Sequence, residues 1–416
     1  MLGNLPLQVF VFNVGDGDNI LLRLPDGSFG FIDFSYSEVN NPVGEPPSLT
    51  YVKFNAPSKP KCSFISLSDY HFDQIKGLNK WIAWARDKEI SQIWLPGIRT
   101  PIESFSTLIN IIEDPQVLKR VLSEYPYLVD RYQIIADLFR KMEIFFEQQK
   151  KKDSLFSFLS TSTLPNLLPL PYDVRAYCLS PGVIRVVSHI MPNSGRKNIL
   201  HLLNERELQS SENYDVSAVL LLQYKRFRLL FGGQASTKNM EESIAYLKKH
   251  PEVCNHQNFE ADFIKVPHHG SKYSSSTLIW ENILPENSEA VLLAISAGNN
   301  KKFHRPNHET LDHIHQAANK KNAKIGIYST NGKGDHSHEG IPVGEMRVKW
   351  PDGKKRREAG KKLDNNLAAL GLVTPSQLDS SSQTFLGYCF EFDPDNATEP
   401  IRVMRVLPES AIIAPK

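Results

Sequence analysis

The chain has 416 residues, 41% hydrophobic and 23% charged, and its 48 basic and 46 acidic side chains leave a formal net charge of +2. That length can hold one large core with insertions, or a core with an appended module, and no uninterrupted apolar run reaches the roughly 18 residues of a membrane-crossing helix. The near-neutral charge excludes a protein that grips nucleic acid by bulk electrostatics, which needs a clustered basic excess.

Residues 7 to 34 predict three strands. Leu7 to Val14 is apolar, Gly15-Asp16-Gly17-Asp18 turns, Ile20 to Leu24 returns, Pro25-Asp26-Gly27 turns again, and Phe29 to Phe34 makes the third run. No basic region precedes the first run, so no export signal is expected. Cys62 to Ser68 reads as a buried strand running into a polar stretch. A helix from near Gln74 then carries Leu78, Trp81, Ile82 and Trp84, and Ile93-Trp94-Leu95 gives another strand. From about 100 to 160 apolar residues recur at helical intervals, among them Leu108, Val121, Leu138, Phe139 and Phe145, which predicts an inserted helical cap or interaction module.

Strands are expected again at Val183 to Val187, Ala218 to Tyr224 and Arg226 to Phe231, the last two forming a hairpin about Lys225. A helix over about 237 to 249, strands at Phe263 to Val266 and Ala290 to Ser296, a helix from Glu309 to Asn319 and a strand at Ile325 to Tyr328 follow. Arg347 to Trp350, Thr384 to Phe392 and Ile401 to Val406 look like strands of an antiparallel edge sheet, and 352 to 383 is polar. Alternating strands and amphipathic helices without an internal repeat predict a layered α/β sandwich. Cys62, Cys178, Cys254 and Cys389 are too dispersed for a zinc knuckle or a disulfide framework, and read as reduced thiols of a cytoplasmic protein.

Chemistry-bearing residues collect where strands end. Asp69, His71 and Asp73 alternate directly after the strand at 62 to 68, so an extended loop would point all three the same way, a set suited to zinc or manganese. Asp and His are also ordinary loop residues, and that reading stays open. The run Val266-Pro267-His268-His269-Gly270-Ser271 opens another strand end into adjacent histidines; one capping and one exposed histidine is the plain alternative to a metal site. Ser296-Ala297-Gly298-Asn299-Asn300 leads to Phe303-His304-Arg305-Pro306 at a third. Two basic clusters, Lys150, Lys151 and Lys152, and Lys354, Lys355, Arg356, Arg357, Lys361 and Lys362, read as solvated faces, with phosphate or partner binding as the alternative.

In this order the segments resemble the metallo-β-lactamase superfamily, and within it the hydrolase domain of ComEC-type DNA-uptake proteins. Asn13-Val14-Gly15-Asp16-Gly17-Asp18-Asn19 looks like that family's DVGQGDS block, and Phe31-Ile32-Asp33 like the strand after it. Asp69-Tyr70-His71-Phe72-Asp73-Gln74 stands where the family has HxHxDH, Leu230 to Ala235 where it has a Gly-Asp-Ala turn, and HHGS is intact at His268 to Ser271. The resemblance covers about 7 to 95 and 183 to 330. It implies an αββα metallo-β-lactamase sandwich divided as 1–99 first half, 100–175 helical insertion, 176–335 second half, and 336–416 a C-terminal β-rich extension with edge strands.

The departures bear on function. Gln74 replaces the last histidine of the loop, and Gln234 falls where the family's metal-bridging carboxylate stands, so a neutral amide replaces a charged ligand at each place. The resemblance then implies Asp69, His71, Asp73, His268 and His269 as the remaining ligands of zinc or manganese, as a single ion or none, with Asp73 and His304 as catalytic candidates. Two readings follow. One is a hydrolase acting on phosphodiester bonds of nucleic acid or nucleotides, in a bacterial defence or DNA-handling setting. The other is an inactive scaffold that binds a partner protein, the helical insertion being the expected contact; neither involves a membrane.

Overall fold

The computed structural model describes residues 5–37, 44–96, 129–150, 155–159, 166–170, 173–181, 217–251, 260–298, 304–331, 343–350 and 386–408, with 119, 123 and 341. Its first strands are β1 (Leu7–Phe12), β2 (Ile20–Arg23) and β3 (Phe29–Ile32), antiparallel neighbours as the turn residues dictate. Helix α1 (Pro47–Asn55) leads to β4 (Cys62–Ser66), the short α2 (Phe72–Ile75), α3 (Leu78–Ala85) and β5 (Ile90–Pro96), then to α4 (Val129–Lys150), β6 (Leu155–Leu159), β7 (Asn166–Pro169) and β8 (Val174–Ser180). The second half holds β9 (Val219–Tyr224), β10 (Phe227–Phe231), α5 (Thr237–Lys249), β11 (Phe263–Lys265), α6 (Thr277–Ile283), β12 (Val291–Ile295), α7 (His308–Lys321) and β13 (Ile325–Ser329). It closes with β14 (Val343–Val348), β15 (Gly387–Phe392) and β16 (Ile401–Pro408).

Two sheets form among the described residues. One runs β14-β16-β15-β1-β2-β3-β4-β5-β6, the other β13-β12-β11-β10-β9-β8-β7. Alternation along the strands explains the layering. In β1, Leu7, Val9 and Val11 face the second sheet, while Phe10 and Phe12 face the layer of α1, α3 and α4. In β9, Leu220 and Leu222 meet the first sheet, while Val219 and Leu221 face the layer of α5, α6 and α7. The three interfaces make a four-layer αββα sandwich, the architecture the resemblance implies.

Three expectations are corrected. The end of the stretch read as a helical insertion is β-structure: β6 joins the first sheet beside β5, and β7 and β8 join the second. Leu155 to Leu159 is too short for a helical period and carries two phenylalanines, which suit a pleated surface. The helix ahead of it, α4, is built into the outer layer: Phe139 and Phe145 are buried, with Phe145 edge-on to Trp81 and Phe139 edge-on to Tyr70. The C-terminal strands make no sheet of their own. β15 lies between β16 and β1, registered from Leu7↔Phe392 to Phe12↔Gly387, and the outer pair β14 and β16 is parallel. The strand expected at Val183 to Val187 lies outside the described residues, as do Cys254, Lys151, Lys152, Lys354, Lys355, Arg356, Arg357 and the side chain of Lys150. Cys62, Cys178 and Cys389 are buried free thiols, and no helix among the described residues is long and apolar enough to cross a membrane.

Because Phe139 is fully buried between α4 and the loop after β4, Phe139→Ala should cost about 3–5 kcal/mol in urea unfolding. A separable cap would lose its own structure without moving the main transition; a shift of the single main transition is the expected result.

Candidate functional site

The parallel strands β3, β4, β11 and β12 and the end of β10 release their loops toward one place, where open α/β sheets gather their sites. Two glycines let those loops touch. Gly17 has φ +123, and a Cβ there would lie 2.3 Å from the carbonyl oxygen of Asp73; Gly233 has φ +51, and its Cβ would lie 2.8 Å from that of Ala218.

Asp33, at the end of β3, accepts from the Ser68 amide and hydroxyl, each at 2.7 Å, and so fixes the start of the loop after β4. Its burial, then the neighbouring charges of Asp18 and Asp69, push its carboxyl well above the ordinary carboxylate range. The loop does not stay extended. Asp69 turns back on His71, its Oδ1 accepting the His71 amide at 2.9 Å and its Oδ2 lying 2.9 Å from His71 Nδ1. His71 then caps α2, which holds Asp73 and Gln74 in its first turn. Asp69 thus lies against His71, while Asp73 stands in the first turn of α2. Gln74 accepts the Asp18 amide on Oε1 at 3.2 Å and donates from Nε2 to Asp73 Oδ2 at 3.2 Å.

The histidine pair follows β11, with both residues in the left-handed region at φ 47 and 56. His269 Nδ1 lies 2.9 Å from the Ser296 carbonyl, an acceptor only, so that nitrogen carries the proton. In the neutral ring Nε2 is then an acceptor, and the Gln234 amide nitrogen sits 2.7 Å from it. Protonated, the same nitrogen would face Asp73 Oδ2 at 3.4 Å. Gln234 is itself held by its amide bond to Ser217 Oγ, 2.8 Å, and by the capping box that Ser236 and Asn239 form at the start of α5. His268 has the complementary arrangement. Its Nδ1 meets Ser274 Oγ at 3.3 Å and its Nε2 meets Arg305 Nη2 at 2.8 Å, so Nε2 accepts from the guanidinium. Burial first, and then the charge of Arg305, hold the His268 ring neutral, its pKa well below the usual value. Asp73 goes the other way when His269 is protonated: burial would raise its carboxyl, but the hydrogen bond and charge of that imidazolium, with His71 and Arg305, hold it below the usual range.

Of the residues singled out from sequence, Asp69, His71, Asp73, Gln74, Gln234, His268 and His269 come together. His304 does not enter by its side chain: it is exposed, and its carbonyl accepts from Asn307 Nδ2. The neighbouring Arg305 enters in its place. Also missed was a fully buried ion pair, Lys265 Nζ to Asp18 Oδ1 at 2.8 Å, under the histidines. A lysine within the apolar run Phe263 to Val266 was its signal, because a buried ammonium requires a partner.

Zinc or manganese would need lone pairs directed at an ion. The Nε2 acceptors of His268 and His269 are engaged by protein N–H groups, one of them on a cation, and Asp69 Oδ1 and Gln74 Oε1 accept backbone amides. Among the described residues no group of three or more His, Cys, Asp or Glu side chains is placed to hold a metal ion. The cluster as built does not fit the metal that the resemblance implies.

No protein-family profile and no curated protein sequence matches the chain. Among solved structures, the metallo-β-lactamase fold protein YhfI from Bacillus subtilis matches over 77% of this chain and 96% of that one, with a TM-score of 0.36 and 12% identity.

Removing Lys265 alone leaves the Asp18 carboxylate buried without its ion-pair partner, so Lys265→Met should cost about 3–5 kcal/mol in denaturant unfolding. Asp18→Asn together with Lys265→Met should recover much of that loss; an equal loss in single and double variants would show that the pair is not what Lys265 supplies. The His268 shift sets a pH dependence. An unfolded histidine takes a proton near pH 6.5 and the folded ring only well below, so the unfolded state binds more protons in between and stability falls as pH drops through that window. Melting temperatures measured from about pH 7.5 down to 5.5 should decline, and more shallowly in His268→Gln.

Proposed function

We propose that the chain is a metallo-β-lactamase-fold scaffold subunit that works by binding a partner protein, its ancestral catalytic cluster now serving as structure. The observation that carries this is the donor set on the two histidines: Arg305 on His268 at 2.8 Å and Gln234 on His269 at 2.7 Å. Hydrolysis of the type implied by the resemblance requires an activated water, and the two adjacent imidazoles that would help hold the activating ion, His268 and His269, already accept from side chains. The cluster is also closed, with His268, His269, Gln74 and Gln234 buried.

One observation favours a second reading, a hydrolase of phosphodiester bonds in nucleic acid or nucleotides, in line with the ComEC-type motifs. The Asp73 side chain is 19% exposed and carries a carboxylate held ionised 3.4 Å from His269 Nε2. That reading needs Gln234 and Arg305 to leave their histidines.

Metal analysis of protein purified without chelator, followed by assay on bis(p-nitrophenyl) phosphate and single-stranded DNA with added zinc or manganese, separates the two. The scaffold reading expects metal far below one ion per chain and no turnover above that of His269→Ala. A retained ion at about one per chain, with turnover that Asp73→Asn abolishes, establishes the hydrolase instead.

A further inference from the structure

We infer that Arg305 and Gln234 take the place of metal ions in this cluster, each side chain closing one half of a latent metal site. The inference rests on the metal-free reading above and adds what keeps the site closed and what would open it.

The geometry is specific. A buried neutral imidazole nitrogen requires a donor or a Lewis acid. His268 Nε2 receives Arg305 Nη2 at 2.8 Å, and His269 Nε2 receives Gln234 Nε2 at 2.7 Å. The Gln234 nitrogen also lies 3.5 Å from Asp73 Oδ2, so one amide group spans a histidine and a carboxylate as an ion between them would. The two groups it spans, His269 Nε2 and Asp73 Oδ2, are 3.4 Å apart. Two donors at about 2.0–2.1 Å from a tetrahedral zinc are separated by roughly 3.3–3.4 Å, so that pair already has ligand spacing. Arg305 supplies a permanent positive charge to a region holding Asp73 and Asp69, which an amide alone could not do. Its own backbone is held in place, its carbonyl accepting from Asn331 Nδ2 at 3.0 Å. A second internal cation, Lys265, pairs with Asp18 below.

The test uses inorganic zinc with the parent chain, Arg305→Met with Gln234→Asp, the same pair with His268→Ala, and Arg305→Lys. Zinc content after gel filtration and the melting temperature with and without zinc are measured for each. The parent should show neither uptake nor a shift. The Arg305→Met, Gln234→Asp variant should take up about one zinc ion per chain or more and melt higher with zinc than without. Adding His268→Ala should lower that uptake, and Arg305→Lys, which keeps the charge, should behave as the parent. If the variant does not fold alone, refolding in the presence of zinc should restore it. A folded variant without zinc uptake, or an unfolded one that zinc does not restore, overturns the inference while leaving the metal-free reading intact. Zinc uptake by the parent overturns that reading instead.

Discussion

Carboxylates crowd the place where the two sheets release their loops, and the rest of the site follows from the need to hold them there. Asp18, Asp33 and Asp69 are buried, and Asp73 nearly so. Buried anions of one sign repel each other and lose hydration, a cost that only hydrogen bonds and opposite charges offset. Each has its own solution. Asp18 pairs with Lys265, Asp33 accepts twice from Ser68, Asp69 folds onto His71, and Asp73 faces the amides of Gln74 and Gln234. Asp33, the most enclosed, shows what happens when compensation is incomplete: its carboxyl holds its proton more tightly than usual.

The same arrangement separates positioning from chemistry. Loops that a metal would otherwise tie together are tied by side chains and by close backbone approach at Gly17 and Gly233. A guanidinium fork and a carboxamide are directional donors, so Arg305 and Gln234 fix the orientation of the rings they meet.

Much of the architecture was legible because burial on both sheet faces leaves a two-residue period and apolar runs that a sequence displays. Leu7 to Phe12 and Val219 to Tyr224 show it plainly, and the polar residues after those runs marked where the site would lie. Leu155 to Leu159 and Asn166 to Pro169 were not legible as strands, being too short to carry a period and following a long helical pattern. Within the site, Gln74 and Gln234 could be singled out by position, but not that their amides would both turn toward Asp73. Arg305 was hidden by its neighbour: His304 has the more suggestive chemistry, and only the backbone path decides which of two adjacent side chains points inward.

The placement of β15 has a consequence for how the chain is made. β1 is synthesised long before β15, its neighbour on one side, and Gln8 bonds Glu391 across a separation of 383 residues. Until β15 has emerged from the ribosome, β1 has an open edge of unsatisfied amides flanked by Phe10 and Phe12. Pairing across so large a loop is slow, and an exposed apolar edge is a template for association with other chains. Pairing with β2 covers only the opposite edge of β1, so the edge awaiting β15 stays open until residues 387 to 392 are in place.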